Sequence, residues 1–220
     1  MRPAAATAVL GVALAVGVPT AWELTRPPAS AGVPVAQVLE APPASPSPAV
    51  APAVPRPTRI STRDAAPAPS PVISPPARVS VPELGVDAAV DAVGVEADGQ
   101  MTVPAEVDRV GWYRFGPAPG AAGSAVIAGH VDSRTQGLGA MAPLREAAVG
   151  DEVVVTDAAG GVTRWRAVSR ELLSKQVLPV DRIFSRDGPP RLTLITCGGP
   201  FLPELGRYRD NVVVVAELIP

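Results

Sequence analysis

The sequence predicts a mainly all-β domain over residues 78–220, built as a closed or nearly closed barrel rich in antiparallel strands. Short β-branched runs recur throughout this region and are separated by Gly, Pro and Asp. Helical periodicity is weak, with one short candidate around Met141–Ala147. The expected strands are Arg78–Val81, Ala88–Val95, Met101–Val103, Ser124–His130, Glu152–Thr156, Val162–Leu172, Arg191–Cys197 and Asn211–Leu218.

The beginning of the chain has the composition of a membrane segment. Residues 4–21 are apolar and uncharged, which is about the length needed to cross a bilayer. Trp22 follows, and tryptophan is typical of the membrane–water interface. We therefore expect residues 1–25 to form a single-pass transmembrane anchor or signal-anchor, with the following domain outside the cytoplasm. A cleaved signal peptide and a buried helix are the alternatives.

Residues 26–77 differ sharply in composition from what precedes and follows. Proline recurs here among Ala, Ser and Val, as in Ala41–Pro48. Proline fixes φ and removes a backbone donor, so neither a helix nor a sheet propagates through such a segment. We expect a disordered linker that holds the domain away from the membrane.

Overall composition excludes several classes of function. The net charge is −2 and no basic stripe is present, which argues against a nucleic-acid partner. The single cysteine excludes an intramolecular disulfide and a zinc site built from several cysteines. Cys197 could be a buried apolar residue or a reactive thiol, and its position decides between these roles.

Three polar features end or follow predicted strands in the second half of the domain. One apolar strand ends at His130, the only histidine, and another ends at Cys197, which is followed by two glycines. Arg207 and Arg209 precede the run Val212–Val215. Strand ends combine a rigid support with open loops, so this placement is compatible with catalysis. Taken singly, each residue could equally be structural or a solvated charge.

A thiol nucleophile needs this combination of residue types. A thiolate attacks a carbonyl far better than a thiol does, and an imidazole can accept the proton and pass it to the leaving amine. A guanidinium can bind the oxyanion of the tetrahedral intermediate. Glycine at 198, directly after Cys197, lets a substrate backbone approach closely.

Three strings resemble the motifs of the sortase family: Ile127–Ser133 the histidine motif, Thr193–Gly199 the cysteine motif, and Tyr208–Val214 the arginine-bearing strand. They occur in the family's order. The glycine pair after the cysteine and the Asp-Asn before the last strand look most like the actinobacterial class F group. The likeness extends over about residues 79–218.

The resemblance implies an eight-stranded sortase β-barrel with Cys197 as nucleophile, His130 as acid/base and Arg209 as oxyanion ligand. Arg209 is preferred to Arg207 because it matches the motif. Thr196 and Gly198 are expected to contact the substrate. The implied reaction cleaves an LPxTG-like sorting signal of a surface protein through a thioacyl enzyme. The acyl group passes to an amine of a peptidoglycan precursor in a Gram-positive wall, with no cofactor or metal.

Three alternatives remain open from the sequence. A cysteine L,D-transpeptidase also pairs Cys with His in a β-rich domain, although its signature places His and Gly directly before the cysteine. A non-catalytic exported barrel would bind partners through its loops, and its cysteine would be buried far from His130. A sortase-like hydrolase would form the same thioacyl enzyme and pass the acyl group to water.

Overall fold

The computed structural model describes residues 28–40 and 74–220, and β-strands dominate the second of these ranges. The first six strands are β1 (Ser30–Gly32), β2 (Pro76–Val81), β3 (Val86–Val93), β4 (Arg109–Tyr113), β5 (Ser124–Gly129) and β6 (Asp132–Ser133). The remaining strands are β7 (Gly137–Leu138), β8 (Glu152–Asp157), β9 (Val162–Ser174), β10 (Arg191–Leu202) and β11 (Arg207–Leu218). Two four-residue helices, α1 (Val35–Val38) and α2 (Val180–Ile183), and the 3₁₀ turns Pro82–Leu84 and Ala142–Glu146 complete the elements.

Eight of these strands close into a barrel. Their order is β9-β11-β10-β5-β4-β3-β2-β8, and β8 pairs again with β9 to complete the circle. The pairs β3–β4 and β5–β10 are parallel, and the other pairs in the barrel are antiparallel. The predicted mainly all-β, eight-stranded barrel with short helices is therefore confirmed. Strands β6 and β7 form a separate small hairpin.

The barrel interior is filled by side chains that alternate along the strands. Trp165 is fully buried at its centre, together with Leu192 and Leu194 of β10. A second cluster of buried side chains packs on the outer face of β5, β10 and β11, under α1 and α2. Each fully buried Leu or Ile contributes about 1.5–3 kcal/mol to folding, so the strand ends that carry the polar residues rest on a rigid support.

One predicted strand is wrong, and one strand of the barrel was not predicted. Met101–Val103 is not a strand, and only Met101 makes an isolated bridge, to Val95. The strand β4 was missed because its centre is Gly111, and glycine inside a run usually indicates a weak strand. A Cβ at 111 would lie 2.8 Å from Val93 Cγ2 and 3.2 Å from the Thr102 carbonyl oxygen, so this position has room only for glycine.

The linker prediction is wrong for the part of residues 26–77 that the structure describes. Residues 28–40, here called the N-terminal strap, lie on the barrel: β1 pairs with β9, and Val35 is fully buried in the outer cluster. The strand β2 begins at Pro76, slightly before the predicted domain start at 78. The strap has small and β-branched residues between and after its prolines, and these give it enough apolar surface to pack on the barrel. Residues 26–27 and 41–73 lie outside the described residues.

No helix within residues 28–40 and 74–220 is long and apolar enough to span a bilayer. The predicted anchor at residues 1–25 lies outside the described residues.

Candidate active site

The parallel pair β5–β10 brings His130 and Cys197 together. Ala128 pairs with Ile195 at the end of the ladder, and the same register continued by two residues sets His130 opposite Cys197. Adjacent strands lie about 4.8 Å apart, so the two backbones are neighbours at this point. Cys197 is partly exposed, and both residues line one cavity of about 310 Å³.

Thr196 connects the two strand ends. Its hydroxyl donates a hydrogen bond of 2.9 Å to the carbonyl oxygen of Gly129, the residue before His130. The Thr196 side chain is only 2 % exposed and lines neither cavity at the site. Its predicted role as a substrate contact is therefore not supported for the side chain, which instead holds the histidine and cysteine strands in register.

A larger cavity of about 780 Å³ opens on the other side of Cys197. Its apolar part is formed by Leu138, Leu172 and Val212, and Gly198 also lines it. A Cβ at 198 would lie 2.9 Å from both Leu172 Cδ1 and Val212 Cγ2. Because residue 198 is glycine, no side chain stands between the thiol and the apolar floor of the cavity.

The N-terminal strap forms one wall of this larger cavity. Pro28 and Ala29 line it, and the Ala29 carbonyl accepts a hydrogen bond from the Leu172 N–H at 2.9 Å. Arg170, 6 % exposed, donates to the carbonyl oxygens of Pro28 at 2.8 Å and Ala147 at 2.7 Å. The buried guanidinium of Arg170 thus connects the strap with the segment that follows the Ala142–Glu146 turn.

Arg209 lies on β11 beside the cysteine strand, but its guanidinium is engaged by the next residue. Nε and Nη2 donate to the two carboxylate oxygens of Asp210, each at 2.9 Å. Asp210 is 3 % exposed, whereas the Arg209 side chain is 56 % exposed. The hydrogen bonds and charge of Asp210 raise the pKa of Arg209 above its ordinary value, so this cation is permanently charged and geometrically fixed.

Arg207 and Arg209 are two residues apart on one strand and leave it on the same face. They nevertheless line different cavities. Arg207 lines the smaller cavity with His130, and Arg209 lines the larger one beside Gly198. Cys197 lines both cavities, so each arginine shares a cavity with the thiol.

Tyr208 connects β11 with the loop after the histidine. Its hydroxyl donates a 2.5 Å hydrogen bond to Asp132 Oδ2, and its ring packs edge-on against Phe201 with centroids 5.3 Å apart. The hydrogen bond to Asp132, aided by burial and by the charges of Asp132 and Cys197, raises the pKa of Tyr208 above its ordinary value. The tyrosine therefore stays neutral and keeps donating across the neutral pH range.

Sequence reasoning missed one cation at the site. The Nζ of Lys175, just after β9, lies 3.5 Å from Cys197 Sγ. The only available signal was that Lys175 is the chain's single lysine, in the same way that His130 and Cys197 are single. Within the described residues, no group of three His, Cys, Asp or Glu side chains is placed to hold a metal ion.

Comparisons with known proteins identify the family of this chain and its fold. A family model described as the sortase domain matches residues 79–219. A comparison with curated protein sequences finds no match. Similar solved structures include sortase A of Listeria monocytogenes, 20 % identical over 67 % of this chain and 88 % of that chain, with a TM-score of 0.50.

Two further structures have the same barrel. Sortase C-1 of Actinomyces oris is 19 % identical over 65 % of this chain and 73 % of that chain, with a TM-score of 0.51. The pilus island 1 sortase C2 of Group B Streptococcus is 19 % identical over the same two fractions, with a TM-score of 0.50. At these identities the structural likeness concerns the fold, and the family assignment rests on the matched domain.

Proposed function

This chain belongs to the sortase family, and from that premise we propose that it is a cysteine transpeptidase acting on an LPxTG-like sorting signal. In this proposal Cys197 is the nucleophile, His130 the acid/base and Arg209 the oxyanion ligand. The acceptor is an amine of a peptidoglycan precursor. The glycine pair after Cys197 and the Asp-Asn pair at 210–211 further favour the actinobacterial class F group.

One observation carries the proposal: the parallel register of β5 and β10, continued by two residues, sets the chain's only histidine opposite its only cysteine. Cys197 is partly exposed and borders both cavities. A structural cysteine would be expected inside one of the buried clusters, and Cys197 belongs to neither.

The first half-reaction forms the thioacyl enzyme. The Cys197 thiolate attacks the carbonyl carbon of the threonine in the sorting signal, and the negative charge passes to the carbonyl oxygen, beside the guanidinium of Arg209. The C–N bond to glycine then breaks as the protonated His130 gives its proton to the leaving amine. Gly198 lets the peptide backbone approach the sulfur because no side chain stands there.

The second half-reaction releases the product. The acceptor amine attacks the thioester carbonyl, gives up a proton to the neutral His130, and the C–S bond breaks to regenerate the thiolate. The net change is one amide bond exchanged for another. No electrons are transferred, and the residues at the site supply the acid, the base and the nucleophile.

The larger cavity is suited to the apolar part of a sorting signal. Leu172 and Val212 form its floor, Leu138 is 74 % exposed at its edge, and Pro28 lies at the opposite wall. An exposed leucine beside an apolar floor gains about 1–2 kcal/mol when a leucine or proline side chain covers it. We assign this cavity to the residues that precede the cleaved threonine–glycine bond.

The location of the enzyme is part of the same proposal. Residues 1–25 would anchor it in the cell membrane as a single span, with the catalytic domain outside the cytoplasm. Sorting signals and wall precursors meet in that compartment. The composition of residues 1–25 supports this placement, since residues 4–21 are apolar and uncharged.

The alternatives make different predictions at this site. A non-catalytic barrel would have its cysteine buried away from the histidine, and the exposure and register of Cys197 count against it. An L,D-transpeptidase is disfavoured by the family match. A hydrolase of the same family uses the same thioacyl enzyme and differs only in passing the acyl group to water.

Mass spectrometry of the intact protein tests the proposal. The full-length chain in detergent is incubated with an LPxTG peptide, alone or with a glycine-based or diaminopimelate-containing amine. We expect a thioacyl adduct on Cys197, cleavage between threonine and glycine, and a new amide when the amine is present. Cleavage without amide formation would indicate a hydrolase, and absence of any adduct with a panel of such peptides would refute the proposed activity.

A further inference from the structure

The sulfur of Cys197 has a close cationic neighbour that the proposed triad does not use. Lys175 Nζ lies 3.5 Å from Cys197 Sγ. We propose that Lys175 is the charge partner of the Cys197 thiolate and so a further catalytic residue. This inference rests on the proposed function, because it assigns Lys175 a part in preparing that nucleophile.

The backbone fixes where Lys175 can reach. Ser174, the last residue of β9, pairs with Asp210, so Lys175 follows beside Arg209. The Lys175 N–H donates to the Arg209 carbonyl oxygen at 3.3 Å. The lysine is partly buried, and its flexible stem brings the ammonium to the sulfur from the strand adjacent to β11. The position of Lys175 is therefore set by the pairing of β9 with β11 as well as by the loop that follows β9.

The Lys175 ammonium has no competing anion nearby. Across residues 28–40 and 74–220, no carboxylate lies within salt-bridge distance of it. Arg209 differs in this respect, because two nitrogens of its guanidinium donate hydrogen bonds to Asp210. Among the described residues, Lys175 is thus a cation without a carboxylate partner at 3.5 Å from the sulfur, while Arg209 is fixed for binding an oxygen.

The two cations suit two stages of one reaction. In the resting enzyme the thiol proton passes to His130, and the thiolate is balanced by the Lys175 ammonium at hydrogen-bond distance. On attack the charge moves from sulfur to the carbonyl oxygen, and the interaction with Lys175 weakens as that with Arg209 forms. A compact ammonium suits a single sulfur anion, and a planar guanidinium suits an oxyanion.

Several other ionisable groups line the cavities that Cys197 borders and must be held constant in any test. The ionisable side chains that line the two cavities around it are His130, Asp132, Arg134, Arg145, Glu146, Arg170, Arg207, Tyr208 and Arg209. None of them is altered when Lys175 alone is substituted. The lysine's contribution can therefore be isolated by single substitutions at this position.

Alkylation of Cys197 by iodoacetamide tests the proposal without any peptide substrate. The full-length chain in detergent carries one thiol, so the rate of adduct formation reports on it alone. We expect Lys175→Ala to slow alkylation about five- to tenfold at neutral pH, because a thiolate loses its charge-assisted partner. The deficit should disappear at about pH 10, where a thiol ionises without help.

Two matched variants separate charge from packing. Lys175→Arg keeps the cation and should alkylate within about twofold of the natural chain. Arg164→Ala removes a cation from the opposite end of β9, where it pairs with Glu152, and should leave the rate unchanged. Lys175→Ala behaving like the natural chain at every pH would overturn the proposal. Lys175→Arg being as slow as Lys175→Ala would overturn it too, because charge would then not be the cause.

Peptide turnover measured on the same samples keeps this proposal distinct from the proposed function. If the natural chain failed to cleave any sorting signal while Lys175→Ala still slowed alkylation, the transpeptidase assignment would fail and the charge pairing would stand. If peptide cleavage were normal and alkylation insensitive to Lys175, the pairing would fail and the transpeptidase assignment would stand.

Discussion

His130, the residue after β5, and Cys197 of β10 hold matching positions, two residues beyond the last pair of the parallel β5–β10 ladder. The hydroxyl of Thr196 fixes this relationship by donating to the Gly129 carbonyl oxygen. Parallel strands point their carboxyl ends in the same direction, so two chain segments far apart in sequence deliver their terminal residues to one place. The relative positions of the proposed nucleophile and acid/base are thus set by the pairing of β5 with β10.

The first prediction separates these two residues. Cys197→Ala should abolish both peptide cleavage and the thioacyl adduct, since the chain has no second thiol. His130→Ala should remain open to alkylation but lose about 10²–10⁴-fold in turnover, because the leaving amine lacks its proton donor. Intact-mass measurement after alkylation and after peptide incubation distinguishes the two. A His130→Ala variant with near-normal turnover would remove the histidine from the mechanism.

The second prediction concerns Arg209. Arg209→Ala should lower kcat by about 10²–10³-fold, the usual loss when one oxyanion donor is removed. Arg209→Lys should also be strongly impaired because the planar fork is lost. Steady-state kinetics on a soluble peptide measures both, with thermal unfolding as a check, since either change leaves the buried carboxylate of Asp210 less well paired. If Arg207→Ala were the inactive variant and Arg209→Ala nearly normal, the assignment would move to Arg207.

The third prediction concerns the glycine pair after the cysteine. Gly199 has φ of +71°, and a Cβ there would lie 2.1 Å from Asp210 Oδ2. Gly206 provides the matched control, with φ of +60° and nothing within 4 Å of its Cβ position. Gly206→Ala should cost about 1–2 kcal/mol for the left-handed backbone alone. Gly199→Ala should cost about 1–3 kcal/mol more, because Asp210 must shift.

Chemical denaturation gives both free energies of unfolding, and the kinetics provide a second readout. Displacing Asp210 also releases the guanidinium of Arg209, so Gly199→Ala should lower kcat, whereas Gly206→Ala should not. Equal losses of stability in the two variants would mean that the close contact with Asp210 is relieved at little cost.

The fourth prediction concerns the N-terminal strap. Val35 is fully buried, its N–H donates to Glu171 at 3.0 Å, and Pro28 lines the larger cavity. Val35→Ala should lower the free energy of unfolding by about 2 kcal/mol. A chain beginning at residue 74 should be less stable than one beginning at residue 28, and should bind peptide with a raised KM. Unchanged stability and KM after removal of the strap would show that it contributes neither packing nor a cavity wall.

Much of the barrel followed from local patterns in the sequence. The apolar runs that lead to His130 in β5 and to Cys197 in β10 are continuous, and such runs can be recognised without any knowledge of their partner strands. The strand β4 could not be recognised from the sequence. Its Gly111 is needed because Val93 on the adjacent strand leaves no room for a Cβ, and no local sequence pattern indicates that contact. The strap was missed for a related reason: its prolines indicate a linker, and only the surface it covers shows otherwise.

The site was predictable to the same degree. His130, Cys197 and Arg209 were found because they lie in recognisable strings, and Gly198 because it follows the cysteine. Lys175 lies at the end of another strand, and its approach to the sulfur depends on the pairing of β9 with β11. The bidentate contact between Arg209 and Asp210 likewise depends on the side-chain conformations at the end of β11. Sequence therefore identified the proposed reactive groups, and the tertiary structure determines which charges surround them.

The last prediction uses the hydrogen bond between Tyr208 and Asp132. This bond raises the pKa of Tyr208, which means that the folded state favours the neutral phenol. A group whose pKa is raised on folding contributes its full stability below its unfolded value, about 10 for tyrosine, and loses it as the pH rises through the folded value. The chain should therefore be destabilised at strongly alkaline pH by ionisation of Tyr208 beside the Asp132 carboxylate, and be unaffected by it near neutrality.

Tyrosinate absorbance measures this directly, because the chain has only two tyrosines and the difference between the natural chain and Tyr208→Phe isolates one of them. The isolated midpoint should lie above about 10. Asp132→Asn keeps an acceptor but removes the charge, and should move that midpoint back toward the ordinary value. Tyr208→Phe should also cost about 1 kcal/mol at neutral pH, since a partly buried bond to a carboxylate is lost. A midpoint at or below 10 would show that Asp132 does not hold the phenol, and the loop after His130 would then need another restraint.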